Sequence, residues 1–402
     1  MAVADRRATS AFWLYASHLL GLFGLAVSNG LLALALLAAP WTLRQRFAGW
    51  RRGTPLLAAA ALYLLFLLAA IAASSDPLAS LASLSEFFAL AALPLAVLSV
   101  RGERQTRRLV DLMILAASAF AVHGLVQYFF GYGGIDLRIR GPFSHYMTFS
   151  GVLLVVDLLL VAQLVRPTAR PAESHPFWRL LARPLFRWSA LALINVALLG
   201  SLTRSAWVAV AVAFTGLALA RAPRLLAAYL PVAALLLLLA PVPWVARALS
   251  IVDLDDTSNY DRLCMAAAGA QMIAEQPLLG IGPDQVKIRY PLYRHPTAPR
   301  FRVPHLHDTF LQVAAERGLL SLVALLALLA VPMLAAWRGL RRAERAGSGP
   351  ADLHLGVMAA VLGFAVAGLF EHNWGDVEVQ RMLLAVMAMP FCLREDGSDE
   401  PA

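Results

Sequence analysis

The sequence predicts an all-α polytopic membrane protein of about 12 transmembrane helices, with one long loop that contains short helices. Three observations predict it. Of the 402 residues, 60% are hydrophobic and only 15% charged, against about 25% charged in a soluble domain. Unbroken apolar runs such as residues 56–73 and 225–240 are long enough, or nearly so, to cross a hydrocarbon core about 30 Å thick. Arginines recur in every second connecting segment, the pattern that sets orientation in a membrane. In lipid the backbone must satisfy itself, so the runs are read as helices. A barrel would need short alternating strands, and no alternation is seen.

The expected spans are 11–27, 28–42, 55–73, 84–100, 109–130, 146–165, 188–201, 203–220, 224–241, 309–336, 352–371 and 378–393. Only Ser28-Asn29-Gly30 separates the first two, so they are two spans or one long segment. Arg6 and Arg7 precede an apolar run without a small-residue cleavage site, which predicts a retained first helix. With the N-terminus inside, the basic segments around Arg44–Arg52, Arg101–Arg108, Arg166–Arg187, Arg221–Arg224 and Arg338–Arg345 are all cytoplasmic, while the turns around Ser28 and Ser74 carry no Lys or Arg. Both termini are then cytoplasmic. The expected division is helices one to nine in 1–240, a large outer loop in 241–308, and helices ten to twelve with a cytoplasmic tail in 309–402. The net charge of +9 follows from this asymmetry, and its scatter over short loops argues against a nucleic-acid partner. Cys264 and Cys392 fall on opposite sides, which argues against a disulfide.

The long loop departs from the charge rule. It holds Arg247, Arg262, Lys287, Arg289, Arg294, Arg300 and Arg302 on the side where cations are scarce, and long loops translocate largely regardless of charge. Residues 261–274 read as a helix. Gln276-Pro277-Leu278-Leu279-Gly280-Ile281-Gly282-Pro283 reads as a turn-rich run. Together they predict a small, partly helical subdomain lying over the bundle.

Several residues carry possible chemistry. Arg204, in Thr203-Arg204-Ser205, is either an interfacial cation that snorkels to headgroups or an anion site, since guanidinium grips phosphate oxygens in pairs. Arg138 and Arg140 precede Gly141-Pro142-Phe143-Ser144-His145. Taken singly, these and Arg262, Lys287 and Arg289 read as solvated loop charges; taken together they form an excess of outer cations, as a pyrophosphate-bearing lipid would require. His307 stands before the tenth span in Pro304-His305-Leu306-His307-Asp308-Thr309. It is either a structural histidine or a base able to take a proton from a hydroxyl, with Asp308 or Glu316 to orient it. Asp308 or Thr309 also suits a helix cap. His295, His305 and His307 are three potential metal ligands, but no Cys or carboxylate stands at a familiar zinc spacing, and no metal is expected. The outer turn from Glu371 through His372, Asn373 and Asp376 to Glu378 is either a plain polar turn or a place where Glu371 or Asp376 holds sugar hydroxyls or pairs with the arginines. Every cluster falls on the outer side.

These residues resemble a known family. His307-Asp308-x-x-Leu311-x-x-x-x-Glu316-x-Gly318 looks like the histidine motif of the O-antigen ligase and polymerase superfamily, where the second residue is usually Asn. Arg262 with Pro277-Leu278-x-Gly280-x-Gly282 looks like that family's periplasmic loop. Arg140-Gly141-x-x-x-His145 and Thr203-Arg204-Ser205-x-Trp207 are similar to its two earlier motifs. The resemblance runs from about 138 to 378. It implies a multi-pass bacterial inner-membrane enzyme with its active site facing the periplasm. The activity implied is transfer of O-antigen polysaccharide from undecaprenyl pyrophosphate to a sugar hydroxyl of lipid A–core, without nucleotide, essential metal or other cofactor. In that reading His307 is the general base. Arg204, Arg289, Arg262 and Arg140 bind the pyrophosphate. Asp308, Glu316, His305, His145, Glu371 and Asp376 support or orient. The rivals are an O-antigen polymerase, a protein O-oligosaccharyltransferase, a transporter of lipid-linked glycan, and a non-catalytic lipid-binding scaffold. A transporter would place charges near the bilayer midplane, where this sequence has few.

Overall fold

The computed structural model describes residues 2–42, 48–131, 138–221, 242–253 and 255–393. Among the described residues the chain is helical and contains no strand. In order come α1 (Ala2–Leu20), α2 (Leu25–Thr42), α3 (Ala48–Ala73), α4 (Pro77–Ser80), α5 (Ser85–Leu90), α6 (Ala92–Ser99), α7 (Gly102–Phe129), α8 (Tyr146–Val165), α9 (Pro176–Ala182), α10 (Pro184–Gly200) and α11 (Arg204–Arg221). Then follow α12 (Val242–Leu249), α13 (Thr257–Glu275), α14 (Val286–Tyr293), α15 (Thr309–Ala346), α16 (Ala351–Gly368) and α17 (Val377–Cys392).

Among these residues, 6 helical segments are long and apolar enough to cross a membrane, and α9 with α10, bent by 59°, makes a seventh if the pair is one span. Shorter apolar helices run over Leu25–Pro40 and Arg204–Ala220. The polytopic helical class therefore holds, while the count of about 12 is reached only in part. The expected span at 224–241 lies outside the described residues. The first two spans part at Gly21–Phe23 and Gly24, not at Ser28, which lies inside α2. The Ser28 hydroxyl instead donates to the His18 carbonyl at 2.8 Å, tying the hairpin together. The segment expected at 84–100 is a broken run that starts at Pro77.

α8 is apolar all round and is buried from Thr148 to Gln163, as a helix without a polar face must be. It lies against α16, where Gly356 and Gly363 face Leu159 and Leu158. Small residues at such crossings let helices approach closely. Cys264 and Cys392 are both free thiols.

One end of this bundle is closed by ion pairs. Arg107 on α7 reaches Asp352 on α16 at 2.8 Å, Arg187 on α10 reaches Asp111 at 2.7 Å, and Arg166 reaches Glu344 at 2.6 Å. The opposite end, where α7 and α10 finish and α11, α15 and α17 begin, carries the long loop. That loop has its own small core of Met265, Met272, Ile281, Val286, Tyr290 and Leu306, completed by Ala315 of α15. The helix expected at 261–274 runs from Thr257 to Glu275, because Asp256 caps it by accepting from the Asn259 amide at 3.1 Å,.

The turn-rich run is spliced into α15. Helical geometry breaks at Gly318 (φ 76°). The Ile281 and Gly282 amides donate to the carbonyls of Ala315 and Glu316, each at 2.9 Å, and the Leu319 amide donates to Pro277 at 2.8 Å. Loop backbone thus satisfies the groups that the kink frees. A Cβ at Gly318 would collide with the Leu278 carbonyl, and one at Gly280 with the backbone of Glu316 and Arg317. Both glycines also have positive φ, so no other residue fits without strain.

Candidate functional site

His307 sits where the loop becomes α15. Asp308 caps that helix, accepting from the Leu311 amide at 2.8 Å. His307 itself has φ 53°, a left-handed conformation uncommon outside glycine and often met at functional sites. That turn brings the rings of His305 and His307 to 4.3 Å between centroids. Across from them, in the turn between α16 and α17, stands Glu371. Its two carboxylate oxygens lie 3.0 and 3.1 Å from His307 Nδ1, and the Thr309 hydroxyl donates to its carbonyl at 2.9 Å.

Glu371 is 3% exposed. Burial pushes its carboxyl up, but the hydrogen bond from His307 and the charges of His307, His305 and Arg262 outweigh that and hold it below the usual carboxylate range. It is therefore an ionised acceptor. In the neutral form of the ring this contact places the His307 proton on Nδ1 and the lone pair on Nε2,. Burial lowers His305 to about 4, with the charge of His307 adding to it.

The cations gather on the same end. Arg262, on α13, approaches Glu371 Oε2 at 3.8 Å. Arg204, at the start of α11, is 6% exposed. It donates to the Ser250 carbonyl at 2.7 Å and to Asp256 Oδ1 at 3.2 Å. Its charge is felt at Arg262, whose own shift downward comes first from burial. Arg140 donates to the Ser144 carbonyl at 3.2 Å, beside His145, which caps α8. Burial lowers His145, and the charges of Glu371, His307, Arg138 and Arg140 all act on it. Asp376 accepts from the Thr148 hydroxyl at 3.1 Å. Burial, then the charge of Glu371, pushes it up to about 7.

Some expected residues do other work. Neither Asp308 nor Glu316 orients His307. Asp308 is a helix cap, and Glu316 is turned toward the loop, accepting from the Val286 amide at 3.0 Å. The orienting carboxylate is Glu371. Arg289 lies on α14 and acts electrostatically on Tyr293; among the described residues no hydrogen bond or ion pair joins it to Arg204, Arg262 or His307. Sequence reasoning missed Asp256 and Ser250, the partners of Arg204, which lie in an acidic loop without a motif. It also missed the buried group in which Arg317 donates to Glu86 and Tyr63 while Trp374 Nε1 donates to the Tyr63 hydroxyl at 2.9 Å.

The site is thus a histidine–carboxylate pair with an arginine 3.8 Å from its carboxylate, at one end of a bundle whose helices are long and apolar enough to cross a membrane. A family model described as O-antigen ligase matches residues 189–326, from within α10 into α15. That segment, about a third of the chain, is similar to the O-antigen ligase family and supports the resemblance carried by the motifs. Among curated proteins none matches the chain.

Proposed function

We propose that the chain transfers a glycan from a polyprenyl pyrophosphate, undecaprenyl pyrophosphate in bacteria, to a sugar hydroxyl of lipid A–core at the periplasmic face of the inner membrane. The observation that carries this reading is the hydrogen bond between His307 Nδ1 and Glu371, with Arg262 at 3.8 Å from the same carboxylate. It supplies a base and an anion clamp side by side.

In the proposed step, Nε2 of His307 takes the proton of the acceptor hydroxyl as its oxygen attacks the anomeric carbon. The bond from that carbon to the pyrophosphate oxygen breaks, and its electron pair leaves with the lipid diphosphate. Glu371 holds the imidazole in the required tautomer and stabilises the imidazolium, the division of labour used by other histidine–carboxylate pairs. Arg204 and Arg262, with Arg140 at the rim, stabilise the charge that grows on the leaving group. To do so Arg204 exchanges Asp256 for phosphate oxygens. A single displacement inverts the anomeric carbon.

Purified protein supplied with lipid-linked glycan and lipid A–core tests this. His307→Ala is expected to lose about 10²–10⁴-fold in transfer, the usual worth of a general base, with unchanged membrane insertion. Near-normal transfer by that variant would remove the histidine from the mechanism. Offering a second lipid-linked glycan or a protein as acceptor separates the ligase reading from the polymerase and protein-transferase readings.

A further inference from the structure

We propose that His305, His307 and Glu371 form an inhibitory site for a divalent transition-metal ion, zinc above all. Binding at this site is a property of the cluster itself; the inhibition rests on the base role proposed for His307.

The ligand atoms of the three side chains all lie within 4.8 Å of one another. Two of the edges are short: Glu371 Oε1 is 3.0 Å from His307 Nδ1 and 3.9 Å from His305 Nδ1. Tetrahedral zinc with bonds of about 2.0–2.1 Å sets its donors roughly 3.3–3.4 Å apart. Small side-chain shifts therefore bring this trio onto the metal. Two imidazoles, one carboxylate and an open fourth position are the donor set of catalytic-type zinc sites. Such nitrogen-rich sets favour zinc, copper or nickel over the hard cations calcium and magnesium.

Sequence spacing alone argues against this site, since residues two apart share a metal only in a special backbone shape and no carboxylate is near in the chain. The fold removes both objections. The left-handed turn at His307 puts the two rings together, and Glu371 arrives from 64 residues away. The site also has an outer shell, which orients ligands and tunes affinity. The His372 amide donates to Glu371 Oε1 at 3.1 Å, and Arg262 faces Oε2 at 3.8 Å. His305 also lines a polar cavity of about 250 Å³ together with Ser83, Glu86, Gln312 and His372.

The chemistry of inhibition is a change of tautomer. An ion on Nδ1 of His307 displaces the proton that Nδ1 otherwise donates to Glu371. The neutral ring then carries its proton on Nε2, the atom that must be empty to receive one from the acceptor hydroxyl. A metal-bound His307 is thus a donor where the reaction requires a base.

The full chain, purified in detergent after chelator treatment, is titrated with cobalt(II), followed by competition with zinc. The expected result is one ion per chain, intense visible bands of a tetrahedral cobalt site, and displacement by zinc. His305→Ala and Glu371→Gln should each weaken binding by about tenfold or more, whereas His295→Ala should not change it. Thermal unfolding of each variant identifies any that fail to fold. Absence of binding in the micromolar range, or equal binding by both folded ligand variants, overturns the site. In a second arm, zinc should stop glycan transfer and a chelator should restore it. Binding without loss of transfer overturns the inhibition, while the base role of His307 falls only if His307→Ala also retains transfer.

Discussion

The two ends of the bundle treat charge differently. At the Arg107 end the guanidinium groups are closed onto carboxylates: Arg107 onto Asp352 at 2.8 Å, Arg108 onto Glu173 at 2.6 Å, and both Arg170 and Arg187 onto Asp111 at 2.5 and 2.7 Å. At the His307 end Arg317 is likewise closed onto Glu86, but the contacts of the loop arginines are looser. Arg204 stands 3.2 Å from Asp256, Arg300 stands 3.2 Å from Asp261, and Arg262 stands 3.8 Å from Glu371. A buried pair with tight geometry has spent its attraction on its partner. A cation held at arm's length keeps much of its field for an incoming anion. The first end ties helices together, and the second leaves Arg204 and Arg262 on looser partners.

The comparison breaks if variants at the two ends behave alike. Arg107→Ala leaves Asp352 buried without its cation and should cost about 3–5 kcal/mol of stability. Denaturant unfolding of the solubilised protein reads that loss, and transfer per folded molecule should stay normal. Arg204→Ala should do the reverse. It removes the charged hydrogen bonds proposed to phosphate, worth about 1.5–3 kcal/mol or roughly 10- to 100-fold in transfer, and unfolding should fall by less than for Arg107→Ala because Asp256, unlike Asp352, is partly solvated. Arg204→Lys should recover little of the activity, because an ammonium cannot reproduce the paired grip of a guanidinium.

Smaller effects sharpen the contrast. Gly318→Ala places a side chain at φ 76°, a conformation costing about 1–3 kcal/mol, and drives it into the Leu278 carbonyl. Limited proteolysis of the loop should detect its release. Asp376 offers a pH test. Its native carboxyl is pushed up to about 7 from an ordinary 3.8, so the folded chain holds this proton more tightly than the unfolded one. Stability from this group is full below the unfolded value and is lost as pH rises through about 7,. The melting temperature should fall over that window, and Asp376→Asn should flatten the decline.

Much of the scaffold was legible in apolar runs. α3, α7, α8, α15 and α16 stand close to where hydropathy sets them. The loop helix was legible as a helical stretch at 261–274, though its first turn depends on Asp256, whose capping bond lies upstream of that stretch. The break between α1 and α2 was misplaced because polar Ser28 and Asn29 mimic a turn. Asn29 instead accepts from Arg381, and Ser28 accepts from the same guanidinium at 2.6 Å, so their polarity serves a partner distant in the chain. The site was legible in kind and not in detail. His307, Arg204 and Arg262 stood out by residue type and position. The pairing of His307 with Glu371 did not, since nothing local marks which of several carboxylates a fold will deliver. Asp308 and Glu316 are nearer in sequence, yet the helix start claims one and the Val286 amide claims the other.

The splice at Gly318 gives the loop mechanical standing. Segment 277–282 occupies the gap in α15, so it cannot shift without bending or straightening that helix. The same segment follows directly on α13, which carries Arg262. Arg262 and His307 therefore lie on two segments that are joined by backbone hydrogen bonds at Gly318, about three helical turns past His307,.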